Sequence, residues 1–186
     1  MNLFINTIST NAVIILFDNS RKIIDSLEFI IKWNESSLLI PKIDLFIKKN
    51  NIIYNDIENI VCVNWPWSFT WVRTTVLAIN SINYITKNYL TPLSYFSLYD
   101  KYPIIKSSSK RDCFVKFTPD SEIEIIENEK IIKIIKEMDL SNLYWSCSIE
   151  GIEIIEKIDY ISIIKDIKLE RLSKIEPLYI KKPNIC

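Results

Sequence analysis

The alternation of apolar and polar residues predicts that the first half of the chain is an α/β lobe. Apolar residues recur at helical spacing from residue 35 to residue 49 and again from 69 to 86, which predicts two amphipathic helices. Between them, the apolar run from Asn59 to Val63 predicts a short strand that is buried on both faces. Three β-rich runs separated by polar turn residues open the chain: Leu3 to Asn6, Ala12 to Phe17 and Lys22 to Ile31. A meander, a helix, a buried strand and a second helix indicate an α/β fold.

The second half of the chain has a less regular pattern. Residues 128 to 138 predict a helix, whereas periodicity does not decide between helix and strand from residue 149 to residue 167. Prolines punctuate several short strand-like runs: Pro92, Pro103 and Pro119. We therefore predict an N-terminal lobe of residues 1–88 and a smaller C-terminal lobe of residues 89–186.

Charge and composition exclude several classes of function. The chain has 23 Lys and Arg against 23 Asp and Glu, so no bulk positive field gathers nucleic acid. It contains no His, which removes the usual general base at neutral pH, the common partner of a nucleophile and the commonest metal ligand. Most ordinary hydrolase mechanisms are excluded as a result.

The cysteines and the N-terminus indicate a cytoplasmic protein. Cys62, Cys113, Cys147 and Cys186 are widely scattered and form no C-x-x-C pair, so we expect reduced thiols with no zinc site and no disulfide framework. The first residues lack the basic region of a signal peptide, and no later segment is apolar for the length of a membrane span. We expect no membrane association, no bound metal and no cofactor.

The most specific motif lies between the predicted buried strand and the second helix. The stretch Val63-Asn64-Trp65-Pro66-Trp67-Ser68-Phe69-Thr70-Trp71-Val72-Arg73 resembles the signature G-P-G-S-F-T-G-[VL]-R of the TsaB family. Six residues match that signature: Pro66, Ser68, Phe69, Thr70, Val72 and Arg73. Trp65, Trp67 and Trp71 stand where the family carries Gly.

Three other segments are similar to the same family. Residues 3–7 resemble its opening strand, with Asn6 in place of an Asp, and residues 35–44 resemble its H-S-x-x-L-L-P-x-I-D segment, with Glu35 in place of the His. Residues 176–183 are similar to its C-terminal e-P-x-Y-[LI]-R-x-P segment. The resemblance is good over residues 1–87, weak over 88–170, and returns near residue 176.

The resemblance implies both a fold and a role. The fold is the actin-like ATPase fold, related to ribonuclease H, here with two lobes and a reduced C-terminal lobe. The role is that of a non-catalytic scaffold subunit in the machinery that makes threonylcarbamoyladenosine in tRNA. The chain would form a heterodimer with a TsaD-like subunit, a TsaE-like ATPase would join the pair, and tRNA would be reached only through the complex.

The motif is a candidate nucleotide-proximal surface. A junction between a loop and a helix exposes backbone N–H groups and the positive end of the helix dipole, which attract anions. A simpler interpretation is that Ser68 or Thr70 only caps the second helix, and that Arg73 forms an ordinary salt bridge. Asn6 stands where actin-fold ATPases keep an acidic residue, and an amide cannot supply that charge to Mg²⁺. No residue is therefore expected to be catalytic.

The resemblance also implies that the two amphipathic helices contact the partner subunit. The expected contact residues are Ser36, Leu39, Ile43 and Ile47 on the first helix, and Val72, Val76 and Ile79 on the second. Apolar stripes of this kind more often form a core, and a helix can bury one stripe while it presents another.

The rival hypothesis is a small actin-fold ATPase or kinase that uses Ser68, Thr70 and Arg73 around a nucleotide phosphate. Such an enzyme needs a carboxylate that holds Mg²⁺ near the strand ends. The sequence offers only loosely placed candidates for that carboxylate: Asp18, Asp56 and Asp112. A third alternative is an interaction domain that shares the motif by accident.

The numbers of Gly and Trp suggest a reassigned codon. The chain has 1 Gly and 5 Trp, although Ile, Lys and Asn dominate it as in a strongly AT-rich coding sequence. Three of the Trp residues occupy successive Gly positions of one signature. We predict that UGA encodes Gly in the source genome, and that most of Trp33, Trp65, Trp67, Trp71 and Trp145 are Gly in the cell.

Overall fold

A mixed five-stranded sheet forms the centre of the first half of the chain. The computed structural model describes residues 1–8, 11–31, 35–65, 69–137, 144–146 and 158–177. The strands of this sheet are β1 (Asn2–Asn6), β2 (Asn11–Phe17), β3 (Ile23–Ile30), β4 (Asn59–Trp65) and β5 (Tyr89–Ser94). Their order is β3-β2-β1-β4-β5, with antiparallel pairing from β1 to β3 and parallel pairing from β1 through β4 to β5.

The burial of each strand follows its position in the sheet. The internal strands β1 and β2 are buried at almost every position, which explains their continuous apolar sequence. The edge strand β3 instead alternates between half-buried and exposed residues, so that only one of its faces packs on the core. Leu27 and Phe29 lie on that packed face, and Ile24 and Ile30 lie on the opposite one.

Two long helices cover one face of the sheet. Helix α1 spans Glu35–Lys49 and continues through Pro41, and helix α2 spans Phe69–Thr86. Both contribute their apolar stripes to a single core together with alternate residues of the strands. This core contains Leu3, Ile5, Leu39, Ile43, Phe46, Ile47, Ile60, Cys62, Val72, Val76, Ile79 and Leu90. The helices predicted from periodicity are thus confirmed, with the same bounds.

The second half contains a smaller sheet and one amphipathic helix. The strands β6 (Ile104–Ser107), β7 (Asp112–Lys116), β8 (Glu124–Glu127) and β9 (Tyr144–Ser146) pair in the order β8-β7-β6-β9. Helix α3 (Asn128–Glu137) packs Ile131 against Ile105, Cys113 and Val115 of this sheet. Much of the segment from 149 to 167 lies outside the described residues, but its end forms helix α4 (Tyr160–Asp166).

The end of the described chain runs along β5 as an extended segment, which we call the C-terminal strap (residues 170–176). Leu90 and Leu172 exchange two backbone hydrogen bonds, of 2.8 and 3.2 Å, in the antiparallel manner. Asn59 Nδ2 donates to the carbonyl of Glu170 at 2.6 Å, and the backbone N–H of Glu170 donates to Thr91 Oγ1 at 2.8 Å. The strap therefore satisfies backbone groups on the open edge of β5, which would otherwise be exposed.

The chain divides into two units at positions that differ from the predicted ones. The first unit contains Met1–Tyr95 and the segment that begins at Ile161, and the second contains Phe96–Tyr160. The predicted boundary between residues 88 and 89 is therefore wrong for two reasons. Strand β5 pairs with β4 of the first sheet, and the C-terminal strap returns to that same sheet.

Candidate functional site

The motif singled out in the sequence connects β4 to α2. Strand β4 ends at Trp65 and α2 begins at Phe69, so the motif joins a parallel strand to the helix that follows it. Pro66, Trp67 and Ser68 lie outside the described residues, as do the side chains of Trp65, Phe69, Thr70 and Trp71. Of the remaining motif residues, Val72 is buried in the core and Arg73 lies on the exposed side of α2.

The ends of two parallel strands meet beside this motif. Ile5 of β1 is in register with Cys62 of β4, so Asn6 and Thr7 lie at the same edge of the sheet as Asn64. Ligands of open α/β sheets bind outside the carboxyl ends of parallel strands. This edge of the sheet, which is formed by the carboxyl ends of β1 and β4, is therefore the candidate site that the topology defines.

Hydrogen bonds hold the described side chains of this edge in place. Thr7 Oγ1 lies 2.7 Å from Thr75 Oγ1, which ties the end of β1 to the second turn of α2 inside the protein. Asn6 Oδ1 accepts a hydrogen bond of 3.0 Å from the backbone N–H of Ile8. Asn64 Nδ2 donates to the carbonyl of Glu176 at 3.0 Å, so the C-terminal strap also reaches this edge.

The buried side chains described at this edge carry no charge. Asn6, Thr7, Asn64 and Thr75 are all buried, and none of them ionises near neutral pH. Groups of this kind position a loop or donate hydrogen bonds, but they neither hold a divalent cation by charge nor accept a proton from a nucleophile. Within the described ranges, no three side chains among His, Cys, Asp and Glu cluster closely enough to bind a metal ion.

Two of the three carboxylates of the rival ATPase hypothesis, Asp18 and Asp56, lie away from this edge. Asp18 follows Phe17, which pairs with Asn2, and therefore lies at the opposite edge of the sheet from Asn6. The carbonyl of Asp56 accepts from the N-terminal amine of Met1, which places Asp56 at that opposite edge too.

The hydrogen bonds of Asp18 and the position of Asp112 in a strand both agree with structural roles. Hydrogen bonds from the Ser20 hydroxyl and the Lys22 backbone lower the pKa of Asp18, which is engaged in its own turn. Asp112 begins β7 of the second sheet. The placement of Asp18 and Asp56 therefore gives no support to a role at the motif, and a role for Asp112 stays a prediction.

The residues predicted to contact a partner are in the core instead. Leu39, Ile43, Ile47, Val72, Val76 and Ile79 are each at least nine-tenths buried against the first sheet. The residue-level prediction is wrong for these six, because their spacing marks the stripe that faces the sheet. Ser36 lies on α1, but its side chain lies outside the described residues, so its contact with a partner stays a prediction.

Other apolar side chains of the same helices are exposed. Four of them lie outside the core-facing stripes and are exposed to solvent: Ile40 and Leu45 on α1, and Leu77 and Ile85 on α2. The exposed fraction of Leu77 is 61%. We call these four residues the exposed helix residues. The two helices also contact each other.

Sequence reasoning missed the polar contacts that build this edge. The Thr7–Thr75 contact joins residues that are 68 positions apart, and no periodicity or motif relates them. The contact between Asn64 and the strap was equally hidden, because an Asn-rich composition makes single Asn residues uninformative.

An antiparallel meander that leads into parallel strands, with two helices on one face, defines an α/β fold of the actin-like class. No family model matches the sequence, and no curated protein matches it. Among solved structures, YeaZ from Pseudomonas aeruginosa is similar with a TM-score of 0.59 and 10% sequence identity, over 69% of this chain and 68% of that chain. YeaZ is another name for TsaB.

A second solved structure gives the same result. It is an uncharacterised protein from Pseudomonas aeruginosa, described as similar to peptidase YEAZ, with a TM-score of 0.55 and 11% identity. The match covers 68% of this chain and 64% of that chain, so this chain spans less than two thirds of it. These likenesses establish the fold.

None of the described helices has both the length and the apolar character of a membrane span.

Proposed function

We propose that this chain is a TsaB-type scaffold subunit of the machinery that makes threonylcarbamoyladenosine in tRNA. The observation that carries the proposal is the shared fold with YeaZ, together with the motif of residues 63–73 at the junction of β4 and α2. In this role the chain makes and breaks no bond itself. It holds a TsaD-like subunit in a heterodimer in the cytoplasm, a TsaE-like ATPase joins the pair, and tRNA meets the complex through the partner.

The exposed helix residues are the surface that binds the partner in this proposal. The core-facing stripes of α1 and α2 fix both helices on the sheet, and the opposite sides then remain available to a second protein. Ile40, Leu45 and Leu77 supply apolar area there, and the ends of α1 carry charged residues such as Lys48. An apolar centre with a polar rim is typical of a protein–protein interface.

The absence of a charge among the buried side chains described at the motif edge agrees with a supporting role. Asn6 takes part in a hydrogen bond with the backbone of Ile8 and offers no carboxylate to a metal-bound nucleotide. Catalysis would then reside in the TsaD-like subunit, and the motif would position its loop against that subunit or against a shared nucleotide.

Co-purification tests the proposal most directly. The chain is expressed with the TsaD-like protein of the same genome, and the pair should elute together. Leu45→Glu combined with Leu77→Glu should weaken the association by at least about tenfold, because two charges would be buried in an apolar interface. Association should be measured by titration calorimetry and by size-exclusion chromatography.

The matched control is Ile30→Glu on the edge strand β3. Its exposed fraction is 63%, close to that of Leu77, but it lies on the face of β3 that points away from the helices. This variant should bind the partner as the unchanged chain does. Failure of the unchanged chain to bind any TsaD-like protein of its genome would overturn the function. Equal binding by the double variant would overturn the interface alone.

A further inference from the structure

A cavity of about 370 Å³ lies at the C-terminal end of α2, between this helix, the start of β5 and the C-terminal strap. Its lining residues all belong to the first unit and include none of the motif or interface residues discussed above. Small-molecule sites in proteins begin at roughly 300 Å³. The cavity is therefore large enough for a ligand about the size of a nucleotide.

Three cationic side chains line the cavity, and no carboxylate does. They are Lys87, Arg171 and Lys174. Arg171 Nη2 lies 3.6 Å from a carboxylate oxygen of Glu58, and Lys174 Nζ lies 3.0 Å from one of Glu176. Both pairs are largely exposed, and exposed ion pairs contribute little free energy, so these cations can exchange their partners for a phosphate. Lys87 forms no ion pair within the described part of the chain.

Two tyrosine rings stand beside these cations. Tyr84 is 78% exposed, and the Nζ of Lys87 lies 4.6 Å from the centroid of its ring. The guanidinium carbon of Arg171 lies 5.0 Å from the centroid of the Tyr89 ring. An exposed aromatic ring next to a cation allows a base to stack while its phosphate is neutralised, which is how proteins hold single-stranded nucleic acid.

The asparagines of the cavity wall fix its shape. The amide of Asn80 donates to the carbonyl of Ile175 in the strap and accepts from the backbone N–H of the same residue. The amide of Asn88 donates to the carbonyls of Tyr54 and Ile57 and accepts from a threonine hydroxyl. Because these hydrogen bonds are already made, Asn80 and Asn88 hold their part of the wall in a preformed shape.

We propose that this cavity binds a nucleoside phosphate, either free or as a unit of an RNA strand. The phosphate is neutralised by Lys87 and Arg171, and the base stacks on Tyr84 with little preference among bases. This site goes beyond the proposed scaffold role, in which RNA reaches the chain only through its partner. It does not involve the exposed helix residues Leu45 and Leu77, so the two proposals can fail separately.

Binding of defined probes to the purified chain tests the site. The probes are AMP, a fluorescein-labelled single-stranded oligouridine RNA, and inorganic phosphate as a competitor. Lys87→Ala, Arg171→Ala and Tyr84→Leu should each weaken binding of the labelled RNA or of AMP by about tenfold. Tyr84→Leu should leave competition by phosphate unchanged, because that substitution removes the stacking surface but keeps the cations.

A matched control separates the site from general electrostatics. Lys22→Ala removes one charge from an exposed lysine in the turn between β2 and β3, outside the cavity, and should bind every probe normally. Since a cation at a helix C-terminus also stabilises the helix, the thermal midpoint of Lys87→Ala is measured alongside. Loss of binding in a variant that stays folded at the assay temperature supports the site.

The results tell a free nucleotide from an RNA strand as the ligand, and they also show whether the proposal fails. RNA that binds at least tenfold more tightly than AMP, with a strong dependence on salt, indicates an RNA strand. AMP that binds as tightly as RNA indicates a free nucleotide. The proposal is overturned if neither binds, if Lys22→Ala weakens binding as much as Lys87→Ala does, or if Tyr84→Leu has no effect.

Discussion

Asn80 and Ile175 form a pair of hydrogen bonds that imitates one rung of a β-ladder. Asn80 Nδ2 donates to the carbonyl of Ile175 at 2.8 Å, and Asn80 Oδ1 accepts from the backbone N–H of Ile175 at 3.0 Å. The side chain of Ile175 is buried in the same core as α1 and α2. The side chain of Asn80 thus makes the two hydrogen bonds to Ile175 that a neighbouring strand would otherwise make.

Removal of this amide should loosen the strap. Asn80→Ala leaves two backbone groups of Ile175 without partners, and the free energy of unfolding should fall by about 2 kcal/mol. Urea unfolding at neutral pH measures the change. Ser81→Ala on the same helix is the control, because the hydroxyl of Ser81 is exposed and bonds only to the preceding turn at Leu77. A loss in Asn80→Ala no larger than that in Ser81→Ala would contradict this role.

The sequence allowed the prediction of elements whose burial is periodic. Helices α1 and α2 have the predicted bounds, and the predicted strand from Asn59 to Val63 extends two residues further, to Trp65. These elements are each buried on a stripe or on both faces, which leaves a direct record in the order of apolar residues.

Contacts between distant polar residues left no such record. The C-terminal strap is held by side-chain amides, and the pairs Asn59–Glu170 and Asn80–Ile175 are separated by 111 and 95 positions. Strand β5 contains Pro92, and because proline often interrupts strands, the sequence favoured a lobe boundary before β5. In the structure, Pro92 is nevertheless part of a strand that pairs with β4. The same reasoning took the core stripe of α1 for the partner surface, because spacing alone does not say which way a stripe faces.

The pH dependence of stability should reveal the contact between β3 and α1. Lys49 Nζ and Asn50 Nδ2 donate to Asp25 Oδ2 at 2.7 and 3.0 Å, and the hydrogen bond from Lys49 is the main cause that lowers the pKa of Asp25. A lowered pKa in the folded state means that the stabilisation is present above the ordinary value of 3.8 and is lost as the pH falls through the folded value.

Asp25→Asn should therefore be less stable than the unchanged chain at pH 7, by at most about 1 kcal/mol. The difference should shrink as the pH falls below the ordinary value of 3.8 and should vanish below the lowered pKa that Asp25 has in the folded chain. Chemical unfolding at a series of pH values measures it. Asp44→Asn, which removes the exposed pair of Asp44 with Lys48 within α1, is the control and should change little at any pH. A difference for Asp25→Asn that does not shrink at all as the pH falls below 3.8 would show that charge is not its cause.

The thiol of Cys62 should report on global unfolding. Complete burial in β4 raises the pKa of Cys62 to about 12, so almost no thiolate exists at pH 8 in the folded protein. Iodoacetamide at that pH should leave the peptide of Cys62 unlabelled until urea unfolds the chain, as read by mass spectrometry. Rapid labelling of Cys62 in the folded chain would mean that β4 opens locally.

The isolated chain should neither hydrolyse ATP nor modify tRNA. The buried side chains described at the edge beside the motif carry no charge, and the candidate carboxylates Asp18 and Asp56 lie at the opposite edge of the sheet. Phosphate release from ATP, measured with a sensitive coupled assay, should equal the blank. Turnover that Arg73→Ala or Ser68→Ala abolishes would refute the scaffold role and support the ATPase alternative.

The last prediction concerns the identity of the residues in the motif. Trp65, Trp67 and Trp71 occupy three successive Gly positions of the TsaB signature, and independent substitutions would scarcely produce that pattern. The structure adds that the β4–β5 register shifts between Val63 and Trp65, at the point where the chain leaves the sheet for α2. Gly accommodates such a departure because it adopts positive φ and lets backbones approach closely.

We therefore expect the cellular protein to carry Gly at most of the five Trp positions, through reading of UGA as Gly. The coding DNA checks this first: UGG codons at positions 65, 67 and 71 would refute it. The cellular protein also provides an independent optical test, because a chain without Trp shows only tyrosine emission. Purified from its own organism, it should show much less Trp fluorescence than the chain with all 5 Trp, and none if all five positions are Gly. Peptides from the organism that contain Trp at these positions would exclude the reassignment even if the codons were ambiguous.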